Sequence, residues 1–454
     1  MFIIFGATGD LTKRKLIPAI YKLIKDEKLK KFTLIGVARS DIKIGSILDE
    51  ARKLIGKVDE EIWNKLVNTA YYVSVDLNGS SNYKKLKEFL EDIESKNKLS
   101  RNRLFYLATL PEHFNIITHN LAKSGICKKE KDEWPRVVYE KPFGYNLKSA
   151  QKINNCINRI FDEEQIYRID HYLGKELVGN ITLVRFTNSI FEPLWNKKYV
   201  ENVQIIMKEN RGIENRGGYY DKYGALKDVV QNHALQLLAL VAMETPTRLG
   251  GNFIRDEKAK VLEKVQVKDF LLGQYDGYRN DINIKRNSNT ETFAALKLEI
   301  NNDKWKGVPF YIKAGKNLDE KYTSIYINFK KVDCLLETCP RDTNRFIIRV
   351  EPNEGFALEL NSKIQGKNFE VAPVKMDFSH KNLYGPNTPE AYENLLENVI
   401  KGDQSLFVRD DEIENAWKVI DKIEKNKVYF YKKGSKGPSE LEEWGVKYKM
   451  RWCG

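Results

Sequence analysis

The first two dozen residues constrain the fold more than any other stretch. Phe2-Ile3-Ile4-Phe5 is an apolar run of strand length, Gly6-Ala7-Thr8-Gly9-Asp10-Leu11 is a turn with two glycines, and Leu16–Ile24 carries apolar residues at helical spacing. Strand, glycine turn and helix in this order start a βαβ unit whose turn lets the backbone approach a pyrophosphate at a helix N-terminus. An ordinary tight turn would use the same glycines, so the weight rests on their place between strand and helix. The alternation continues with apolar runs at Phe32–Val37, Tyr71–Val75, Leu104–Leu107 and Val137–Tyr139, and a helical pattern at Tyr83–Ile93. Such a chain is α/β, with an N-terminal Rossmann-like doubly wound domain built on a parallel sheet.

Two strand ends in this half carry chemistry. After the second run the sequence reads Gly36-Val37-Ala38-Arg39-Ser40. An NAD site usually has an acid there for the ribose 2′-hydroxyl, whereas arginine suits a 2′-phosphate, so Arg39 and Ser40 favour NADP. A solvated arginine at a strand end is the plain alternative, and Asp41 follows. After the fifth run comes Glu140-Lys141-Pro142-Phe143-Gly144, where the carboxyl end of the strand faces the ligand crevice and aims Lys141 into it. Read alone, this segment is equally a simple strand-end turn.

Beyond Lys175 the pattern changes. Helical stretches at Leu177–Asn188 and Gly224–Glu244 give way to strand-like runs at Thr292–Ile300, Pro309–Lys313, Ser324–Phe329, Phe346–Val350 and Phe356–Leu360. Several alternate apolar and polar residues, as an antiparallel sheet with one covered face does. Helices return at Glu390–Ile400 and Asp411–Ile423, and Gly273–Asn289 reads as an exposed loop. The expected division is a dinucleotide domain over 1–170 and an α+β domain over 171–454, with a mainly antiparallel sheet for substrate binding and oligomerisation.

Arg168-Ile169-Asp170-His171-Tyr172-Leu173-Gly174-Lys175-Glu176 gathers acids, bases and a tyrosine around one glycine. Lys, His and Tyr can hold an anion while a carboxylate keeps a second task; a solvated loop is the alternative. His233 lies among Val229, Val230, Ala234, Leu237 and Leu238 and reads either as a core histidine or as a base with a carboxylate partner. On an ideal helix Asp228 stands about 140° away from it, at roughly 100° per residue, which leaves Asp170 for that part.

Composition narrows the class. Lysine and arginine exceed aspartate and glutamate by 76 − 63 = 13, but the basic residues are interleaved with acids, so phosphorylated small molecules are the expected partners rather than nucleic acid. No apolar run approaches the roughly 20 residues a bilayer requires, and the strand pattern starts at Met1, so neither a membrane span nor a leader peptide is expected. A cytoplasmic location is the simplest reading. Cys127, Cys156, Cys334, Cys339 and Cys453 form no paired motif, and no metal site is expected.

Taken in order, these segments resemble glucose-6-phosphate dehydrogenase. Arg216-Gly217-Gly218-Tyr219-Tyr220-Asp221 and Asp228-Val229-Val230-Gln231-Asn232-His233 carry the resemblance further, as do Phe191-Glu192-Pro193-Leu194-Trp195-Asn196, Ala314-Gly315-Lys316 and Phe407-Val408-Arg409-Asp410-Asp411-Glu412. The resemblance implies oxidation of glucose 6-phosphate at C1 by NADP, giving 6-phosphogluconolactone and NADPH as the first step of the oxidative pentose phosphate pathway, by a homodimer or homotetramer. It implies His233 as general base with Asp170 as its carboxylate partner, and His171, Tyr172 and Lys175 as holders of the substrate phosphate. Lys141, Glu209, Asp228, Lys316 and Lys321 fall at positions that meet the sugar. Gly6, Thr8, Gly9, Asp10, Leu11, Lys15, Arg39, Ser40 and Lys141 fall at the coenzyme site. The chain departs from the family at Lys321, where many relatives have arginine, and at Glu351, where glutamine is common. Two other readings stand beside this one: an NADP-dependent oxidoreductase of an unphosphorylated aldose, and a non-enzymatic nucleic-acid-binding protein whose affinity would fall steeply with salt.

Overall fold

The computed structural model describes all residues except 131–132, 334–335, 337–343, 385–389 and 425–426, so Cys334 and Cys339 lie outside the described residues. The chain forms two compact units. One comprises Met1–Glu176, Arg248–Arg255 and Pro389–Glu414; the other comprises Leu177–Thr247, Asp256–Thr388 and Asn415–Gly454.

The first unit is built on strands β1 (Phe2–Phe5), β2 (Leu34–Ala38), β3 (Ala70–Ser74), β4 (Arg103–Leu107), β5 (Pro135–Tyr139) and β6 (Ile166–Ile169). They lie in the order β6-β5-β4-β1-β2-β3 and pair in parallel, with the two-residue strand Phe407–Val408 antiparallel at the outer edge of β6. This is the doubly wound order; its reversal between β1 and β4 opens a ligand crevice at the carboxyl ends of the strands. β1 is an unbroken apolar run and β4 is apolar after Arg103, and both are buried throughout, whereas the edge strand β3 is only half-buried. The five runs expected from sequence match β1 to β5 with small shifts at their ends. β6 was not among them.

Helix Ile17–Lys25 buries Ile17, Ile20, Tyr21, Leu23 and Ile24 in the core beneath β1, and helix Ala391–Lys401 adds Tyr392, Leu395, Leu396 and Val399 to the same core. Each such side chain contributes about 1.5–3 kcal/mol, against about 0–1 kcal/mol for an exposed ion pair such as Lys28–Glu397. Apolar burial therefore seats the second helix, and the ion pairs tune it. Arg168 is fully buried and bonded to Glu163 and Asn158, with Arg255 on the same carboxylate. It belongs to the support of β6, unlike the residues that follow it.

The second unit carries a nine-stranded sheet. Its main strands are β7 (Val200–Lys208), β8 (Val265–Tyr275), β9 (Phe293–Ile300), β10 (Pro309–Gly315), β11 (Tyr322–Phe329), β12 (Arg345–Glu351), β13 (Gly355–Lys363) and β14 (Val371–Ser379). The order is β14-β13-β12-β11-β7-β10-β9-β8, closed by Tyr429–Tyr431. Pairing is antiparallel except between β7 and β10 and at the last strand. The expected exposed loop at Gly273–Asn289 is corrected in its first part. Gly273–Tyr275 completes β8, and Tyr275 and Tyr278 are wholly buried with Phe293, Leu441 and Trp444. Turn-forming neighbours masked these aromatics, whose burial outweighs local turn propensity.

Candidate active site

The turn after β1 fits a dinucleotide. Gly6 has φ +86°, and a Cβ there would stand 2.3 Å from the Ala108 carbonyl oxygen, so no side chain fits where the backbone must approach a pyrophosphate. The Gly6 N–H donates to Val37 O at 2.9 Å, which ties the turn to β2, and Gly9 N–H closes it onto Gly6 O at 2.9 Å. The helix opens at Asp10 and runs through a π-helical segment, Thr12–Leu16, before becoming α-helical. At the end of β2 the side chains of Arg39 and Ser40 are exposed, while their carbonyls are held by Ser74 (2.9 Å) and Tyr72 (2.5 Å) from β3. A pinned backbone with outward donors suits a ribose phosphate. Lys15 is paired with Glu390 at 2.7 Å.

Two further segments sit at the carboxyl ends of the same sheet. The Lys141–Pro142 bond is cis. The preceding Glu140 accepts hydrogen bonds from the phenols of Tyr106 and Tyr392. After β6, the Tyr172 N–H donates to Asp170 Oδ1 at 3.0 Å, turning the chain tightly behind a carboxylate that is 2% exposed. That turn gathers His171, Tyr172 and Lys175. The His171 and Tyr172 rings lie 5.1 Å apart, and the Lys175 ammonium stands 5.1 Å from the Tyr172 ring centroid. A cation over an aromatic face is steadied by the ring's negative face.

In the second unit, His233 is 3% exposed and lies on a π-helical segment, Leu226–Ala234, that continues as helix Leu235–Ala242. Just before the segment, Gly224 has φ +67°, which breaks the preceding helix, and a Cβ there would stand 2.4 Å from Glu291 Oε1. Glu291 then accepts from Leu226 N–H at 3.2 Å, as an acid at a helix N-terminus should. At the far end the orphan carbonyls are all met. Arg185 donates to Leu240 O and Met243 O at 2.9 Å, Trp195 to Val241 O at 2.7 Å and Trp305 to Ala242 O at 2.7 Å. The family segment around Trp195 thus supports the histidine-bearing helix.

The π geometry corrects the ideal-helix argument about Asp228. Hydrogen bonding from i to i+5 stacks residues five apart, so Asp228 and His233 lie about one turn apart on one side, not 140° from each other. What occupies Asp228 is instead a polar cluster. Arg216 lies 3.7 Å from it, Lys316 4.0 Å, and the Tyr219 phenol donates to it. Burial foremost, then Asp228, pushes the Tyr219 phenol far above its ordinary range, so it stays a donor. Glu209 follows β7 and Lys316 follows its parallel neighbour β10, and this pairing sets Lys316 Nζ 2.9 Å from both Glu209 oxygens. Carboxylates alternating with donors can address neighbouring sugar hydroxyls. Lys321 is not in this cluster; it pairs with Glu351 at 2.5 Å, so the two departures from the family are each other's counter-ions. Sequence reasoning misses Arg216 and Tyr219 as site residues, because nothing local marks which residue of Arg216–Asp221 turns toward Asp228.

Comparison with known proteins covers the whole chain. Residues 3–180 match the family model described as glucose-6-phosphate dehydrogenase, NAD binding domain, and residues 182–453 match its C-terminal domain. The glucose-6-phosphate 1-dehydrogenase of Chlamydia muridarum is 41% identical over 92% of this chain and 89% of its own length. The cytoplasmic glucose-6-phosphate 1-dehydrogenase 6 of Arabidopsis thaliana is 41% identical over 97% and 90%. A solved glucose-6-phosphate dehydrogenase in complex with its substrate glucose 6-phosphate superposes with a TM-score of 0.92 at 34% identity, covering 100% of this chain and 98% of that one.

Proposed function

Because the chain belongs to the glucose-6-phosphate dehydrogenase family, we propose that His233 is the general base of its reaction and Asp170 the carboxylate that stabilises the imidazolium. The enzyme oxidises glucose 6-phosphate at C1 with NADP, giving 6-phosphogluconolactone and NADPH. The observation that carries the catalytic assignment is a buried histidine on a segment fixed at both ends, by Glu291 and by Arg185, Trp195 and Trp305. Nicotinamide, when bound, supplies the hydride acceptor. His233 takes the C1 hydroxyl proton, and Asp170 offsets the cost of charging a buried imidazole. His171, Tyr172 and Lys175 hold the phosphate. Glu209, Asp228 and Lys316 orient the sugar, and Lys141 serves both ligands. Gly6, Thr8, Gly9, Asp10, Leu11 and Lys15 receive the coenzyme. Following NADPH absorbance with glucose and glucose 6-phosphate, each with NADP and NAD, tests the reading. Turnover confined to unphosphorylated glucose would overturn it.

Arg39 and Ser40 select NADP through its 2′-phosphate. Arg39 is exposed and its contact screened, so Arg39→Ala should weaken NADP binding about ten-fold, the low end for a charged hydrogen bond. NAD binding should change little. Equal losses in titrations of both coenzymes would refute the role.

Among the described residues no helix is long and apolar enough to cross a membrane, and with a relative named cytoplasmic this supports a cytoplasmic location. The outer strands support self-association. On β14, Val374, Met376 and Phe378 are 44%, 63% and 41% exposed, an apolar row fitted to a second copy of the same sheet. Met376→Asp should raise the subunit dissociation constant ten-fold or more, since a buried methionine contributes about 1.5–3 kcal/mol. Light scattering across a dilution series reads this, and an unchanged mass at every dilution would refute it.

A further inference from the structure

The first turn of helix Ala391–Lys401 reaches three segments of the proposed site, although no motif marks it. Glu390, just before the helix, pairs with Lys15 of the nucleotide turn at 2.7 Å. Asn394 donates to Gly174 O at 3.1 Å and to Glu176 at 3.0 Å, gripping the phosphate loop. Between them, the Tyr392 phenol donates to Glu140 Oε1 at 3.1 Å, and Tyr106 from β4 donates to the same oxygen. Tyr106 and Tyr392 are 1% and 9% exposed. Two buried phenols from separate elements thus converge on one carboxylate oxygen, immediately before Lys141.

Leaving a carboxylate unpaired in such a place would be costly, and hydrogen bonds to its charged form are what keep it ionised. The Glu140 carboxyl sits above its ordinary range: burial pushes it up, the Tyr106 and Tyr392 hydrogen bonds and the Lys141 charge pull it part of the way back, and Asp170 adds a further upward push. The groups acting on Glu140 therefore come from β4, from the ends of β5 and β6 and from the helix. Two of them, Lys141 and Asp170, are site residues.

We propose that Tyr392 is a positioning residue for the dehydrogenase reaction: with Tyr106 it keeps Glu140 as a fixed anion that holds Lys141 in register with Asp170. Tyr392 acts through Glu140. The proposal rests on the roles assigned above to Lys141 and Asp170. It explains why a buried carboxylate sits at this strand end rather than an apolar residue, and why one helix turn grips both the phosphate loop and Glu140.

Tyr392→Phe removes one hydroxyl and keeps the ring in the core. Turnover should fall about ten-fold, the effect of one hydrogen bond to a charged group. Because Glu140 then ionises less readily, the acid limb of the kcat/KM profile should move to higher pH, a change that a packing role alone would not produce. Glu140→Gln should lower turnover at least as much, and adding Tyr392→Phe to it should shift neither turnover nor the limb further. An active wild type with Tyr392→Phe unchanged in turnover and limb would overturn the proposal, as would an equal effect of Tyr392→Phe with and without Glu140. Absence of NADPH formation by the wild type would instead overturn the functional reading, and this proposal with it.

Discussion

Turnover of the His233→Asn variant is expected to fall by roughly a hundred- to ten-thousand-fold, the range for a lost general base. Both KM values should stay near wild type, because proton removal belongs to the transition state and not to binding. The segment carrying His233 is held at its start by Glu291 and at its end by Arg185, Trp195 and Trp305, none of which depends on the imidazole. Asp170→Asn should also lower turnover, and the double variant should lose little more than the worse single one if the two act as a unit. The pH profile adds a signed test. The base works as neutral imidazole, and a carboxylate favours the imidazolium, so removing it with Asp170→Asn should move the acid limb to lower pH. Steady-state kinetics would settle the matter. Near-normal turnover in His233→Asn would make it a core histidine and the mechanism wrong.

Lys175→Ala should lower kcat/KM for glucose 6-phosphate by up to about a hundred-fold while the KM for NADP stays within about two-fold. A charged hydrogen bond to phosphate contributes roughly 1.5–3 kcal/mol. Part of the loss should appear in kcat, since binding energy at a remote phosphate also serves the transition state. The loop itself should survive: Asp170 holds the Tyr172 N–H, and Asn394 holds Gly174 O and Glu176, without help from Lys175. Phosphate specificity gives the sharper reading. The variant should lose its preference for the phosphorylated sugar over glucose, and an unchanged ratio of the two specificity constants would refute the assignment.

The parts of the fold legible in the chain were those whose signal is local. Strands β1, β2, β4 and β5 are covered on both faces, so each reads as an apolar run needing no partner to identify it. Gly6 declares itself by standing between such a run and a helix. Other elements carry no such signal. Strand β8 begins Val265-Gln266-Val267-Lys268-Asp269, and only pairing with β9 makes it a strand. Tyr392 looks like any buried tyrosine on an amphipathic helix; its phenol matters only because Glu140 lies at the other end of the hydrogen bond.

From residue types and spacing alone came the doubly wound first half, the antiparallel second sheet, the preference for NADP and the two histidine-bearing stretches. These follow from the periodicity of burial and from side-chain chemistry at strand ends, which are properties of short segments. Tertiary structure alone decided that residues 389–414 return to the first unit, that Phe407–Val408 extends its sheet beyond β6, and that Leu226–Ala234 winds as a π-helix with Asp228 and His233 on one side. It also decided that Lys321 and Glu351, thirty residues apart, neutralise each other. β-Ladder register, helix winding and the partner of a buried charge depend on packing between segments distant in the chain, and that free energy has no local trace in the residues it joins.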